Sequence, residues 1–118
     1  MNLQELELVK HAIQHAHVTG CCEWKESAAR LVRQDHRLQE FALNPKEIKK
    51  LLVEYVCGGG DKSIIQVPEQ RKFNREYYYK VIVPVAGLAR GLFVEIELVD
   101  DDPELPSVRM VSAHEQHP

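Results

Sequence analysis

The sequence predicts an α+β domain, in which two or three N-terminal helices pack on one face of a three- to four-stranded, mainly antiparallel sheet. Helical periodicity dominates the first half of the chain, and β-type alternation dominates residues 77–113. The clearest strand is 92–99, in which apolar residues alternate with Glu95 and Glu97. A strand with one apolar and one charged face is typical of an antiparallel sheet whose second face is exposed to water.

Length and charge limit the function further. A chain of 118 residues predicts a single domain, 1–118, with one core. Its net charge of −3 excludes a uniformly basic nucleic-acid binder. The charge is uneven, because residues 91–118 hold seven acids and one base (−6), which leaves 14 bases and 11 acids (+3) for residues 1–90. A local basic surface therefore stays open.

The lack of a visible targeting signal and the pattern of cysteines predict where in the cell the protein is found. The chain begins without a basic and apolar leader, and its longest apolar run, 81–89, is too short to span a bilayer. The three cysteines are an odd number, and two of them are adjacent, which favours reduced thiols. We therefore predict a cytoplasmic protein with no membrane partner.

Three helical regions precede the strands. Apolar spacing predicts an amphipathic helix over 3–17, which Thr19 and Gly20 end. A second region has one apolar side, formed by Trp24, Ala28, Leu31 and Val32. We expect a break near Asp35, which can cap a further turn. The sharpest helix is 45–57, because Asn44, Pro45 and Glu47 form a capped start and 58–60 is all glycine.

Four segments have strand character. Residues 63–67 predict a short edge strand ended by Pro68, and the polar residues 69–76 predict a loop. The main strands are expected over 77–85, 92–99 and 108–113. A loop with glycine at both ends, 87–91, joins the first two, and an acidic loop over 100–106 joins the last two.

The exposed face of this sheet is the first candidate site. Alternation places Tyr78 and Lys80 outward on one strand, Glu95 and Glu97 on the next and Arg109 on the last. Such a face offers a base, cations for a phosphate and a hydroxyl donor. The simpler interpretation is a solvated face with cross-strand ion pairs.

A basic and aromatic stretch is the second candidate. Four bases are interleaved with four aromatics over 71–80. The candidate nucleic-acid contacts in this stretch are Arg71, Lys72, Arg75 and Tyr78. Single-stranded nucleic acid is bound by such a mixture of cations and stacking rings. The alternative is a basic loop that leads into a buried strand.

Histidines form the third and fourth candidates. His11 and His15 stand one helical turn apart, with His17, Cys21 and Cys22 beyond them. They could share a metal, or His15 could act as a general base, but an exposed helix is the simpler interpretation. We predict no stoichiometric zinc and no other cofactor. Near the end of the chain, Ser112 and His114 point the same way on a strand but lack a visible third catalytic group.

Three stretches carry a family resemblance: 10–16 with its His-Ala pairs, Leu43 to Gly59, and the closing strand Val108–His114. Together with the order of elements, they resemble the barnase, EndoU, colicin and RelE-like group of small ribonucleases and toxins, and the last stretch resembles the closing strand of BrnT-like toxins. The resemblance implies an RNA-directed, toxin-like domain, in the enzymatic case a metal-independent ribonuclease. It assigns catalysis to His11 or His15, with Lys80, Arg109 and His114.

The same resemblance leaves a non-enzymatic alternative. RelE-like toxins are usually strongly basic, whereas this chain is acidic, and its two outward glutamates would repel phosphate unless cations pair with them. The alternative is a protein-interaction or regulatory module that docks a partner, such as an antitoxin, through its acidic C-terminal third around Asp100–Glu104. The sequence does not decide whether the protein is an enzyme.

Overall fold

The computed structural model describes residues 3–68 and 77–116, apart from the side chain of Leu3. Its helices are α1 (Leu3–Gln14), α2 (Glu26–Gln34), α3 (His36–Glu40) and α4 (Pro45–Cys57), with a 3-10 helix at Gly60–Ser63. Its strands are β1 (Cys22–Trp24), β2 (Ile65–Pro68), β3 (Tyr77–Val85), β4 (Leu88–Asp100) and β5 (Ser107–Glu115). The predicted α+β class is confirmed. In this part of the chain, no helix is both long and apolar enough to cross a membrane.

The sheet has five strands in the order β1-β5-β4-β3-β2. Among the described strands, three neighbouring pairs are antiparallel, and β1 and β5 run parallel. The predicted edge strand is present as β2, but it covers Ile65–Pro68 instead of 63–67, because Ser63 belongs to the 3-10 helix and Pro68 still pairs with Tyr77. The fifth strand, β1, was missed because three residues are too few for a periodic signal.

One core lies between the helices and the sheet. Its helical residues include Val9 and Ile13 of α1, Val32 of α2 and Ile48 and Leu52 of α4. Its strand residues include Tyr79, Val81, Leu92, Val94, Ile96 and Met110. Because these strand residues alternate with others along each strand, the helices cover one face of the sheet and the second face is available for contact.

Two details of the second helical region differ from the prediction. Trp24 belongs to β1, where its indole Nε1 donates a hydrogen bond to the carbonyl oxygen of Pro45 at 2.8 Å. Leu31 is 68% exposed, since Ala28, Ala29 and Val32 supply the buried side of α2. The predicted break is confirmed, because the carboxylate of Asp35 accepts a hydrogen bond from the Leu38 N–H at 3.0 Å and caps α3.

The cap of α4 gives a first test of the fold. The side-chain oxygen of Asn44 accepts a hydrogen bond from the Glu47 N–H at 2.8 Å. We expect Asn44→Ala to lower the free energy of unfolding by about 1 kcal/mol, measured by denaturant titration. Lys25, at the same position of α2, makes no side-chain cap bond, so Lys25→Ala is the control. An equal effect of both changes would contradict the cap.

Candidate functional site

The sheet face that the helices leave uncovered, here called the open face, carries four of the nine predicted site residues: Tyr78, Lys80, Arg109 and His114. Direct cross-strand pairing puts Lys80 opposite Glu95, and Glu95 opposite Ser112. The next row along the strands is Ile82, Phe93 and His114. The row on the other side contains Tyr78, Glu97 and Arg109, and β2 adds Ile65 and Val67 at the edge.

The position of His114 follows from the residue beside it. Glu115 accepts two hydrogen bonds from the guanidinium of Arg37 in α3, from Nε at 2.9 Å and from Nη2 at 3.2 Å. Glu115 therefore points to the helices. Because successive side chains of a strand point to opposite faces, His114 lies on the open face.

Glu97 and Arg109 form an ion pair across β4 and β5. Arg109 Nε donates to Glu97 Oε1 at 2.8 Å, and Nη2 donates to the same oxygen. The sequence predicted Glu97 to be exposed, but only 8% of its surface is accessible. Its carboxylate faces Arg109 rather than water, so this guanidinium is already occupied by an anion.

Lys80 has a similar environment. It stands directly opposite Glu95 on the open face, and cross-strand neighbours place their Cβ atoms about 4.5–5.5 Å apart. Each of the two open-face cations considered for phosphate binding therefore has a carboxylate beside it. The face combines charges of both signs instead of a continuous positive surface.

Next to these charges lies an apolar and aromatic row. The rings of Phe93 and His114 stack with centroids 4.8 Å apart and an angle of 25° between their planes. The Nδ1 of His114 lies 2.9 Å from the backbone carbonyl of Glu115, which can only accept, so Nδ1 carries a proton. Ile82 continues the row on β3. Sequence reasoning missed Phe93 and Ile82 as site residues, although their alternation with Val94 and Val81 was the available signal.

The structure does not bring His11 of α1, or His15 and His17 just after that helix, to this face. His11 and His15 stack with their centroids 4.1 Å apart, and His17 lies 5.9 Å from His15. Nδ1 of His15 lies 2.9 Å from the carbonyl oxygen of His11. Helix α1 contributes Val9 and Ile13 to the core on the covered face, so the sheet stands between these histidines and Lys80 or Arg109.

The cysteines near the histidines are poor ligands for a metal. Cys21 and Cys22 are buried, and burial raises the pKa of the Cys22 thiol to about 12, against weak opposition from Lys49. Among the described residues, no group of three His, Cys, Asp or Glu side chains is placed to hold a metal ion. The absence of stoichiometric zinc stays a prediction for elemental analysis.

Thiol chemistry offers a direct check of this burial. Cys57 is exposed, whereas the other two cysteines are not. We expect a thiol-reactive dye to label one of the three cysteines in the native protein at neutral pH and all three in denaturant, because a buried neutral thiol is a poor nucleophile. A Cys57→Ser variant should lose the native reaction. Rapid labelling of Cys22 in the native state would contradict the structure.

The structure describes all of one further predicted surface, the acidic segment, and part of another, the basic and aromatic stretch. The acidic segment 100–104 is exposed, and two of its carboxylates bind their own turn: Asp100 accepts from the Asp102 N–H and Asp102 from the Glu104 N–H, both at 3.0 Å. The basic residues Arg71, Lys72 and Arg75 lie outside the described residues. Tyr78, their neighbour in the prediction, is on the open face and half-buried.

The comparisons with known proteins add no family to this geometry. No protein-family model matches the chain, and neither a curated protein nor a solved structure matches it significantly. The resemblance to RelE-like and related toxins therefore rests on the sequence stretches alone.

Proposed function

We propose that the protein is a protein-binding module and that the open face of its sheet is the recognition surface. One observation carries this choice over RNA: the two cations in the middle of that face, Arg109 and Lys80, each have a carboxylate beside them. Arg109 is bonded to the nearly buried Glu97, and Lys80 stands opposite Glu95. RNA binding draws its affinity mainly from cations that neutralise phosphates and release counterions. A cation that already has an anionic neighbour contributes little of this energy.

The remaining features of the face suit a protein partner. Interfaces combine an apolar and aromatic centre with a polar rim. Ile82, Phe93 and His114 supply such a centre, and next to it lie the Glu97–Arg109 ion pair and the facing residues Lys80 and Glu95. Ile65 lies on the edge strand β2 and is 51% exposed, so it extends the apolar surface to that edge of the sheet.

The ribonuclease that the toxin resemblance implies has less support. General acid–base catalysis needs the base within hydrogen-bonding reach of the reacting group. His11 and His15 lie on the covered side of the sheet, away from Lys80 and Arg109. His114 shares the open face with both cations, but its ring stacks on Phe93. RNA binding is therefore the competing outcome of the test.

The first arm of the test selects peptides. A random peptide library is panned on the immobilised wild-type protein, and enriched peptides are measured against Ile82→Lys and Leu31→Lys. Both variants replace an aliphatic side chain with lysine. Ile82 lies on the open face, whereas Leu31 lies on α2 and is 68% exposed. We expect enriched peptides to bind Leu31→Lys as they bind wild type and to lose about tenfold or more in affinity for Ile82→Lys, because a central apolar anchor is replaced. Equal loss with both variants, or no enrichment, would overturn the proposal.

The second arm measures RNA. A labelled, mixed-sequence, single-stranded RNA is titrated with protein at low salt, and its anisotropy and integrity are followed. We expect neither binding nor cleavage. If RNA binds, and Lys80→Ala and Arg109→Ala both weaken binding and reduce its salt dependence, the RNA-directed function replaces the protein-binding one.

A further inference from the structure

The β3–β4 hairpin contains a groove beside the open face, at a change of register between the two strands. Val83 pairs with Leu92, and the next pair is Val85 with Leu88, so residues 89–91 of β4 stand opposite Pro84 alone. The sequence predicted 87–91 to be a loop, but only Ala86 and Gly87 form the turn and β4 begins at Leu88. Because Pro84 lacks an N–H, it cannot continue the ladder there, and the longer strand bulges outward.

The bulge opens a groove of about 510 Å³, within the range of binding sites for small ligands. We call it the hairpin groove, and its principal lining residues are Ile82, Pro84, Val85, Leu88, Arg90 and Gly91. Ile82 belongs both to this groove and to the open face, so the two surfaces are continuous. The lining is apolar except for one cation.

That cation is Arg90. It is exposed, it lines the groove, and it forms no ion pair with any residue in the described ranges 3–68 and 77–116. In this respect Arg90 differs from Arg109, which is bonded to Glu97, and from Arg37, which is bonded to Glu115. An apolar groove beside an uncompensated guanidinium complements a ligand that joins an aliphatic group to a carboxylate.

Packing keeps the groove open. A Cβ atom on Gly91 would lie 2.8 Å from Ile82 Cγ2, and one on Gly87 would overlap Cε1 of the Phe41 ring. Both glycines have positive φ, +81° and +93°. The turn is therefore held from beneath by Phe41 and the bulge is held against β3 at Ile82, which favours a preformed site.

We propose that the hairpin groove binds the C-terminal residue of an extended partner peptide, with its aliphatic side chain against Ile82 and Pro84 and its carboxylate at Arg90. The inference rests on the proposed protein-binding function and names the segment that is bound. A terminal residue carries side chain and carboxylate on one Cα, so both fit a single groove. An internal acid is a poorer match, because in an extended chain the neighbouring side chain points to the opposite side.

The test follows backbone amide resonances of ¹⁵N-labelled full-length protein during titration with acetyl-valyl-leucine. The probe with a free carboxylate is compared with its C-terminal amide and with acetyl-glutamyl-leucinamide, whose acid is internal. We expect the free acid to shift resonances of residues 82–91 and to bind about tenfold or more tightly than either amide, because a hydrogen-bonded charge pair is lost.

Three variants separate the roles of charge and groove. Arg90→Gln should reduce the affinity for the free acid to that of the amide, whereas the control Arg30→Gln, on the exposed side of α2, should leave it unchanged. Ala89→Tyr places a ring at an exposed position of the groove and should abolish the shifts at residues 82–91.

Each outcome decides one proposal. If the free acid and both amides bind equally, or if Arg90→Gln binds like wild type, the inference on the C-terminus is overturned while the open face still stands on its own peptide selection. Tighter binding of the internal acid would assign Arg90 to a side-chain carboxylate and overturn the inference in the same way. If no probe shifts residues 82–91, the hairpin groove is not a binding site. Failure of the peptide selection on the open face would remove the proposed function itself.

Discussion

We expect Ile96→Ala to lower the free energy of unfolding by about 2–5 kcal/mol, the range for an isoleucine truncated in a core that cannot close the cavity. Ile96 is 0% exposed and lies in the middle strand of the sheet. Its cross-strand partners are Tyr79 on β3 and Met110 on β5, both fully buried. The helices close the space above it, so the deleted atoms leave a void with few ways to collapse.

A matched control uses the same substitution at Ile65, which is 51% exposed on the edge strand β2. There the loss should stay below about 1 kcal/mol, because about half of the residue's surface is in contact with water in the folded protein. Chemical denaturation of wild type and both variants measures the difference. Equal losses would mean that β4 is shifted by one residue, which would exchange its two faces.

We expect Gly91→Ala to destabilise the protein by about 2–5 kcal/mol, the sum of a backbone cost and a packing cost. The backbone cost arises because Gly91 has a φ of +81°, a conformation that residues with a Cβ seldom adopt. The packing cost arises because the new Cβ would lie 2.8 Å from Ile82 Cγ2 and 2.9 Å from the carbonyl oxygen of Val83. The backbone oxygen cannot move without disturbing the ladder between β3 and β4.

Gly20→Ala separates these two costs. Gly20 has a similar φ of +91°, but a Cβ there would meet no heavy atom within 4 Å. We therefore expect a loss of about 1–2 kcal/mol for Gly20→Ala, from the backbone alone. Thermal or chemical unfolding of both variants checks the ranking, and a Gly20→Ala loss as large as that of Gly91→Ala would contradict the close approach of the bulge to β3.

Elements whose signals are local could be predicted well. Helix α4 occupies the predicted residues 45–57, because the cap at Asn44, the proline and the glycines after Cys57 are neighbours in sequence. The first strand of the predicted sheet likewise occupies 77–85. The three residues of β1 could not be found in this way, since their pairing partners in β5 lie more than eighty residues further along the chain.

Partner choice was also beyond the sequence at the candidate site. Alternation put Lys80, Glu95 and Arg109 on one face, and the register of the sheet agrees with it. Cross-strand ion pairs were expected on this face, but alternation did not indicate that Arg109 would bond Glu97 and cover it, because that contact depends on which strands are neighbours. It also gave no sign of the hairpin groove, which arises where Pro84 meets a longer stretch of β4.

The sequence by itself determined the α+β class, the caps and periodicity of the helices and the alternation that divides each main strand into two faces, since these depend on residues a few positions apart. Only the tertiary structure decided that His11 and His15 lie on the opposite side of the sheet from Lys80 and Arg109. The physical reason is that a helix can pack on either face of a sheet, and burial of Val9 and Ile13 in the common core selects the face.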